Sequence, residues 1–148
     1  MSQFGADQLE VAADRAALAA ILDARGRHRE AQETLREVLS VVEGVLGPDH
    51  YEVAVTLDKL AAMVQRAGES VRAAELYGRS LGIKRRVLGS DHPDVAATLN
   101  ELGTVYLSLG RSQDAYMALS GALRIFERVA HPQLAACREN RERARGRR

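Results

Sequence analysis

The amino-acid sequence repeats itself at a fixed spacing of 42 residues. The segment LGPDHYEVAVTLDKL begins at Leu46, and LGSDHPDVAATLNEL begins at Leu88. Aligned without a gap, residues 46–87 and 88–129 are identical at 16 of 42 positions. A weaker copy precedes them, and its matching residues are Ala12, Leu18, Ala19, Gly26, Ala31 and Leu39. Such a period predicts a stacked repeat array.

Each copy predicts two amphipathic helices joined by a tight turn. Apolar and small residues recur three and four apart in two bursts, and Gly26, Gly68 and Gly110 separate the bursts. Glycine suits this place because the residue after a helix often takes a positive φ. The predicted helices are approximately Gln8 to Arg25, Arg29 to Leu46, Tyr51 to Ala67, Ser70 to Leu88, Pro93 to Leu109, Ser112 to Val129 and Pro132 to Arg143.

The links between copies contain the usual signals for ending one helix and starting the next. Gly47 and Gly89 follow a helix, and Asp49 and Asp91 are the candidate N-caps of the helix that comes after. Pro93 lies in the first turn of its helix, where its missing N–H costs nothing. We therefore expect short links and antiparallel helix pairs.

These patterns resemble the tetratricopeptide repeat. The family's spaced large and small residues are matched by Leu57, Leu60, Ala61 and Val64, by Leu99, Leu102, Gly103 and Tyr106, by Leu18, Ala19 and Leu22, and in the second helices by Ala31, Ala73 and Ala115 with Leu35, Tyr77 and Leu119. Arg15 departs from the pattern. The long period and the sequence motif LGxDHPDVAxTLNxL resemble the repeats of kinesin light chains and of many bacterial proteins.

The resemblance implies an all-α fold, a right-handed superhelix of three helix pairs. We expect one domain over residues 1–148, with repeats at about 8–46, 50–88 and 92–129. A capping helix at about 132–143 and a basic tail at 144–148 follow. Small residues at Ala61 and Gly103 are expected to keep the helix crossings close.

In such arrays the first helix of each pair lines the concave side, which the resemblance implies is a peptide-binding groove. The candidate groove residues are Val55, Asp58, Ala62, Gln65, Arg66, Ala97, Asn100, Thr104, Leu107 and Ser108, with Ala13, Ala16, Ala20, Asp23 and Ala24 in the first copy. Asn100 matches an Asn that the resemblance implies grips a peptide backbone; the alternative is a merely exposed polar residue. Residues 95–107 contain no basic side chain, which argues against a clamp for chaperone C-terminal carboxylates.

The sequence offers no catalytic or metal-binding pattern. His50, His92 and His131 recur in the links, but adjacent helix pairs lie about 10 Å apart, whereas the ligands of one zinc ion lie within about 2 Å of it. Cys137 is the only cysteine, and we expect it to be an inert thiol. We therefore predict no enzyme activity, no cofactor and no metal.

Charge, hydropathy and composition indicate which partners, cellular location and source to expect for the protein. The formal net charge is +1, which argues against general nucleic-acid binding, although the last eighteen residues carry six arginines against two glutamates. No leader or membrane-spanning stretch is evident, and the single cysteine fits a reducing compartment, so we expect a cytoplasmic protein. Nineteen arginines against two lysines suggest a GC-rich bacterial genome.

The leading hypothesis is a non-enzymatic adaptor or scaffold that binds a peptide segment of a partner protein. A second hypothesis is a self-associating, dimeric scaffold, formed through an uncapped N-terminal pair or through Gly78 and Gly82, two glycines inside a helix. The chain is alternatively a regulatory fragment of a larger signalling protein. Contact of the arginine-rich tail with nucleic acid is the least favoured alternative.

Overall fold

A computed structural model describes residues 1–146 as seven α-helices, and no strand occurs within that range. The helices are α1 (Gln3–Ala24), α2 (His28–Leu46), α3 (Tyr51–Arg66), α4 (Ser70–Leu88), α5 (Pro93–Ser108), α6 (Ser112–Val129) and α7 (Leu134–Arg145). The predicted all-α repeat superhelix is confirmed. Arg147 and Arg148, the end of the predicted basic tail, lie outside the described residues.

Packing follows the order of the chain. Helix α1 packs on α2, α3 on α4 and α5 on α6, and each second helix then packs on the first helix of the next pair. One continuous column of apolar side chains results, and most of it is aliphatic. Its largest fully buried members include Tyr77, Phe126, Leu35, Leu57, Leu60, Ile83, Leu119 and Leu123. Because each helix touches mainly its neighbours, the exposure of a side chain depends on whether its pair has a neighbour.

The predicted turn glycines are confirmed by the backbone. Gly26, Gly68 and Gly110 have φ values of 82°, 88° and 72°. A side chain with a Cβ is strained in this left-handed region, which explains glycine at all three turns. Ala130, which follows α6, takes the same conformation with φ 50°.

The N-caps between the repeats are histidines, so the prediction of Asp49 and Asp91 is wrong. Nδ1 of His50 accepts the Glu52 N–H at 3.0 Å, and Nδ1 of His92 accepts the Asp94 N–H at the same distance. The imidazole nitrogen satisfies a helix N–H that has no partner within the helix. The histidines of these links are therefore structural.

The aspartates of the same links form ion pairs instead. Asp49 pairs with Arg86 at 2.7 Å, and Asp91 pairs with Arg128 at 3.4 Å. Each arginine lies near the C-terminal end of the second helix of the same pair, 37 residues after its aspartate. Both pairs are well exposed and contribute little stability.

The two end helices have different bounds from those predicted. Helix α1 begins at Gln3 rather than Gln8, because the Ser2 hydroxyl accepts the Gly5 N–H at 3.0 Å and caps the helix. Helix α7 begins at Leu134 rather than Pro132. The preceding turn is held by His131, whose ring stacks on Phe126 with 4.4 Å between ring centres.

The close crossing predicted at Gly103 is present. A Cβ added to Gly103 would lie 2.5 Å from Cγ of Leu119, a contact that real side chains do not tolerate. Gly78 and Gly82 differ, since a Cβ on Gly78 would meet nothing within 4 Å and one on Gly82 only the end of Arg86. Within residues 1–146, no other helix uses these two glycines for close approach.

Candidate functional site

A cavity opens between α1 and α3. It has a volume of about 730 Å³, and α2 closes its far side with Val38, Val42 and Leu46. Small side chains make the space: α1 contributes Ala12, Ala13, Ala16, Ala17 and Ala20, and α3 contributes Val55, Thr56, Ala62 and Met63. The alanine side chains along α1 are too small to fill the gap between α1 and α3. The alanine-rich sequence of α1 therefore produces the cavity.

Charged residues lie around this apolar space. Glu52 and Lys59 come from α3, and Asp23 and Arg66 lie at the C-terminal ends of α1 and α3. A ligand with an apolar side chain between polar or charged groups matches such a lining.

Asp23 ties α1 to α3. Two guanidinium nitrogens of Arg66 donate to its Oδ2, and Nδ1 of His28 lies 2.8 Å from its Oδ1. Asp23 is 8% exposed. Burial alone raises the pKa of this carboxyl, but the hydrogen bonds with His28 and Arg66 outweigh burial and leave the pKa below its usual value. Asp23 is therefore ionised and structural at neutral pH.

The predicted groove residues do not all meet in one place. The cavity between α1 and α3 contains Ala13, Ala16, Ala20, Asp23, Val55, Ala62 and Arg66. A separate space of about 420 Å³ is lined by Gln65, Thr104, Leu107, Ser108 and Arg143 of α7. Ala24 is exposed, and Ala97 is half-buried against the core.

Asp58 is engaged by a neighbouring helix. Lys84 of α4, itself 5% exposed, donates to Oδ2 of Asp58 at 2.6 Å and to the Thr98 hydroxyl at 2.9 Å. The buried lysine thus links α3, α4 and α5. A lone buried ammonium group would be costly, so Asp58 balances Lys84 within the fold.

Asn100 is buried rather than exposed, at 6%. Its Oδ1, like Oδ1 of Asp58, is buried without a hydrogen-bond partner among the described residues. Unpaired buried acceptors are uncommon in folded proteins. A peptide N–H reaching either oxygen would have to displace neighbouring side chains.

The sequence reasoning missed the role of Lys84, although a signal was present. Lys84 follows Tyr77 and Leu81 at spacings of seven and three, which places it on their buried helix face. Periodicity within α4 would have identified the lysine as a core residue that needs an acidic partner.

The remaining chemical candidates are structural. Within residues 1–146, no cluster of three or more His, Cys, Asp or Glu side chains is suited to hold a metal ion. Cys137 is fully buried, and its Sγ lies 3.5 Å from the Leu119 carbonyl oxygen. Burial raises the pKa of this thiol to about 11. Among the helices of the described chain, none combines the length and the apolarity needed to cross a membrane.

Comparisons with known proteins agree with this architecture. The sequence profile described as tetratricopeptide repeat matches residues 9–86 and 59–128. The chain is similar to the kinesin light chain nearly identical TPR-like repeats of Podosopora anserina, with 27% identity and a TM-score of 0.79 over 88% of this chain and 64% of that one. No curated protein matches the sequence.

Two further solved structures share the fold. BtubC (BKLC) from P. vanneervenii has 23% identity and a TM-score of 0.84, and the match covers 92% of this chain and 56% of that one. The apo form of RapI has 19% identity and a TM-score of 0.83, over 95% of this chain and 38% of that one. The chain thus spans less than two thirds of the length of each of these structures.

Proposed function

Because this chain belongs to the tetratricopeptide repeat family, we propose that it is a non-enzymatic adaptor or scaffold that binds a peptide segment of a partner protein between α1 and α3. The observation that carries this proposal is the cavity of about 730 Å³ with its alanine and valine lining. The peptide inserts an aliphatic or aromatic side chain there, and its polar groups meet Glu52 and Lys59.

The proposed site differs from the one that the repeat pattern alone favours. Asn100 is buried, and Asp58 is partly exposed but already paired with Lys84. Binding at α1 and α3 requires no such pair to break. Gln65, Thr104 and Ser108 then serve as a secondary contact beside α7, where the smaller cavity lies.

The same proposal includes a cytoplasmic location and a bacterial source. A single buried cysteine is compatible with a reducing compartment, and the arginine-rich composition fits a GC-rich genome. Separation of host-cell fractions followed by detection of the protein tests the location. Recovery in an extracellular or membrane fraction would contradict it.

Selection from a random peptide library on the immobilised chain tests the binding site. Ala20 is exposed and lines the cavity, so Ala20→Trp fills the space without disturbing the core. We expect this substitution to weaken a selected peptide by at least about tenfold, as loss of a buried anchor does. Ala136→Trp, on the exposed side of α7, is the matched control. Equal affinity for both variants would refute the site.

A further inference from the structure

The outward side of α1 carries an apolar stripe that no other helix within residues 1–146 covers. Phe4, Val11 and Leu18 recur every seven residues, and Ile21 continues the same face. Val11, Leu18 and Ile21 are 57%, 48% and 51% exposed, and Phe4 is 73% exposed. Large apolar residues aligned in this way mark an interaction surface rather than scattered surface hydrophobics.

The repeat itself shows what such a face contacts. The residues 42 positions after Val11, Leu18 and Ile21 lie in α3, and those 84 positions after lie in α5. They are Val53, Leu60 and Met63, then Val95, Leu102 and Val105, and all six are at most 5% exposed. Helix α2 packs on α3, and helix α4 packs on α5. The face of α1 thus has the side chains of a helix-binding surface without the helix.

Acidic residues on this face indicate the chemistry of the occupant: Asp7 and Asp14 stand three residues after Phe4 and Val11 and so lie within the stripe. Asp7, Glu10 and Asp14 are exposed on α1, and no ion pair or hydrogen bond engages Glu10 or Asp14 among residues 1–146. Arg15, the nearest base, is already paired with Glu37 of α2 at 2.7 Å. Acidic side chains on this face favour a partner that brings positive charge.

One position is especially informative. Asp14 aligns with Thr98 of α5, which stands 84 residues later. The Thr98 hydroxyl accepts a hydrogen bond from the Lys84 ammonium group at 2.9 Å. A helix lying on α1 as α4 lies on α5 would direct the corresponding side chain at Asp14. A lysine there would donate to a charged carboxylate instead of to a neutral hydroxyl such as that of Thr98.

We propose that the outer face of α1 is a docking site for one amphipathic helix of a partner protein, with a basic residue opposite Asp14. Apolar side chains of that helix cover Val11, Leu18 and Ile21. A second copy of this chain is a poorer occupant, because its own α1 face carries the same acidic residues. The site is separate from the cavity between α1 and α3, and its occupation leaves that cavity open.

A labelled peptide with the sequence of α4, Ser70–Leu88, is a defined probe, since α4 covers the equivalent face of α5. Fluorescence anisotropy with the full chain is expected to show saturable binding. Leu18→Glu places a charge in the apolar contact and should weaken binding at least about tenfold. Met117→Glu, at an exposed apolar site on α6, is the control and should leave affinity unchanged.

A charge exchange tests the specific contact. Asp14→Lys should weaken the wild-type peptide, and a peptide with Lys84→Glu should recover binding to that variant. Failure to saturate, indifference to Leu18→Glu, or no recovery in the exchange would overturn the proposal. Both substituted positions are exposed, so the variants remain folded, which circular dichroism verifies.

Two other results would also overturn this proposal, and each has its own signature. Loss of peptide binding in Ala20→Trp but not in Leu18→Glu would place the peptide in the cavity. A molar mass that doubles with concentration and returns to that of a monomer in Leu18→Glu would identify a second copy as the occupant. The peptide-library result stands or falls independently, since it depends on the cavity side of α1.

Discussion

The two ends of the array differ in how they finish. The chain has two phenylalanines, and Phe4 at the N-terminal end is 73% exposed, whereas Phe126 near the C-terminal end is 0% exposed. At the C-terminal end, α7 packs on α6 and buries Cys137 and Ala144, and most of its arginines and glutamates face solvent. At the N-terminal end, none of the other six helices in the described part of the chain covers the outer face of α1. Burial in a repeat array therefore depends on the neighbouring pair as much as on the residue.

The largest expected difference between the ends comes from removing the two aromatic rings. Phe126→Ala should lower the free energy of unfolding by about 3–5 kcal/mol, because it leaves a cavity at a fully buried site and removes the ring that stacks on His131. Phe4→Ala should change it by less than about 0.5 kcal/mol, since the ring is already in water. Urea denaturation followed by circular dichroism measures both. Equal losses would show that α1 is covered in solution.

A second test compares glycines in helix interiors. Gly103→Ala should destabilise the chain by about 1–3 kcal/mol, because its Cβ meets Leu119 and this overpacking outweighs the better helix propensity of alanine. Gly78→Ala, with nothing within 4 Å, should stabilise it by about 0.5–1 kcal/mol. Thermal unfolding of the two variants gives the signs. A stable Gly103→Ala protein would mean that the α5 and α6 crossing is loose.

The N-terminal pair is joined to α3 by the ion pair between Asp23 and Arg66, which Asp23→Asn removes. We expect a loss of about 1 kcal/mol at pH 7, a modest value because Arg66 is half exposed. The pKa of Asp23 is lowered in the folded state, so this contribution is present above its ordinary pKa and disappears as the pH falls through the folded value. The difference in unfolding free energy between the two proteins should therefore be larger at pH 7 than at pH 3.

The corresponding test at the C-terminal end uses alkaline pH and the buried Cys137 thiol. Of the effects predicted here, we expect this one to be the smallest near neutral pH. Burial raises the pKa of Cys137 from 9.0 to about 11, so the fold favours the thiol. Its contribution is complete below pH 9 and decreases as the pH rises towards 11. Unfolding midpoints between pH 8 and pH 10 should fall more steeply for wild type than for Cys137→Ala. Parallel slopes would contradict a buried thiol.

The sequence predicted the helices well and the site less well. Periodicity and the turn glycines located six of the seven helix starts within two residues, because these signals lie inside one repeat. The start of α1 was missed because its cap, Ser2, precedes the repeated pattern. The histidine caps were missed because aspartate is the commoner capping residue.

The burial of Asn100 and the pairing of Asp58 with Lys84 could not be inferred from one helix at a time. Their positions are polar on a helical wheel, yet Lys84 of another helix covers Asp58. The cavity beside α1 depends on side-chain volumes from three helices, which no single spacing encodes. What sequence did provide was the alanine-rich α1, whose functional meaning appears only once α3 lies beside it.

The bonds between first helices give the array an uneven mechanical compliance. Arg66 and Asp23 join α3 to α1 at their C-terminal ends, whereas the Tyr51 hydroxyl joins α3 to Asp94 of α5 at their N-terminal ends. Two parallel rods fastened at one end hinge about that end. Helices α1 and α3 are thus expected to spread at their N-terminal ends, whereas Lys84 also joins α3 and α5 midway through Asp58 and Thr98. The array is therefore expected to change its curvature more readily between α1 and α3 than between α3 and α5.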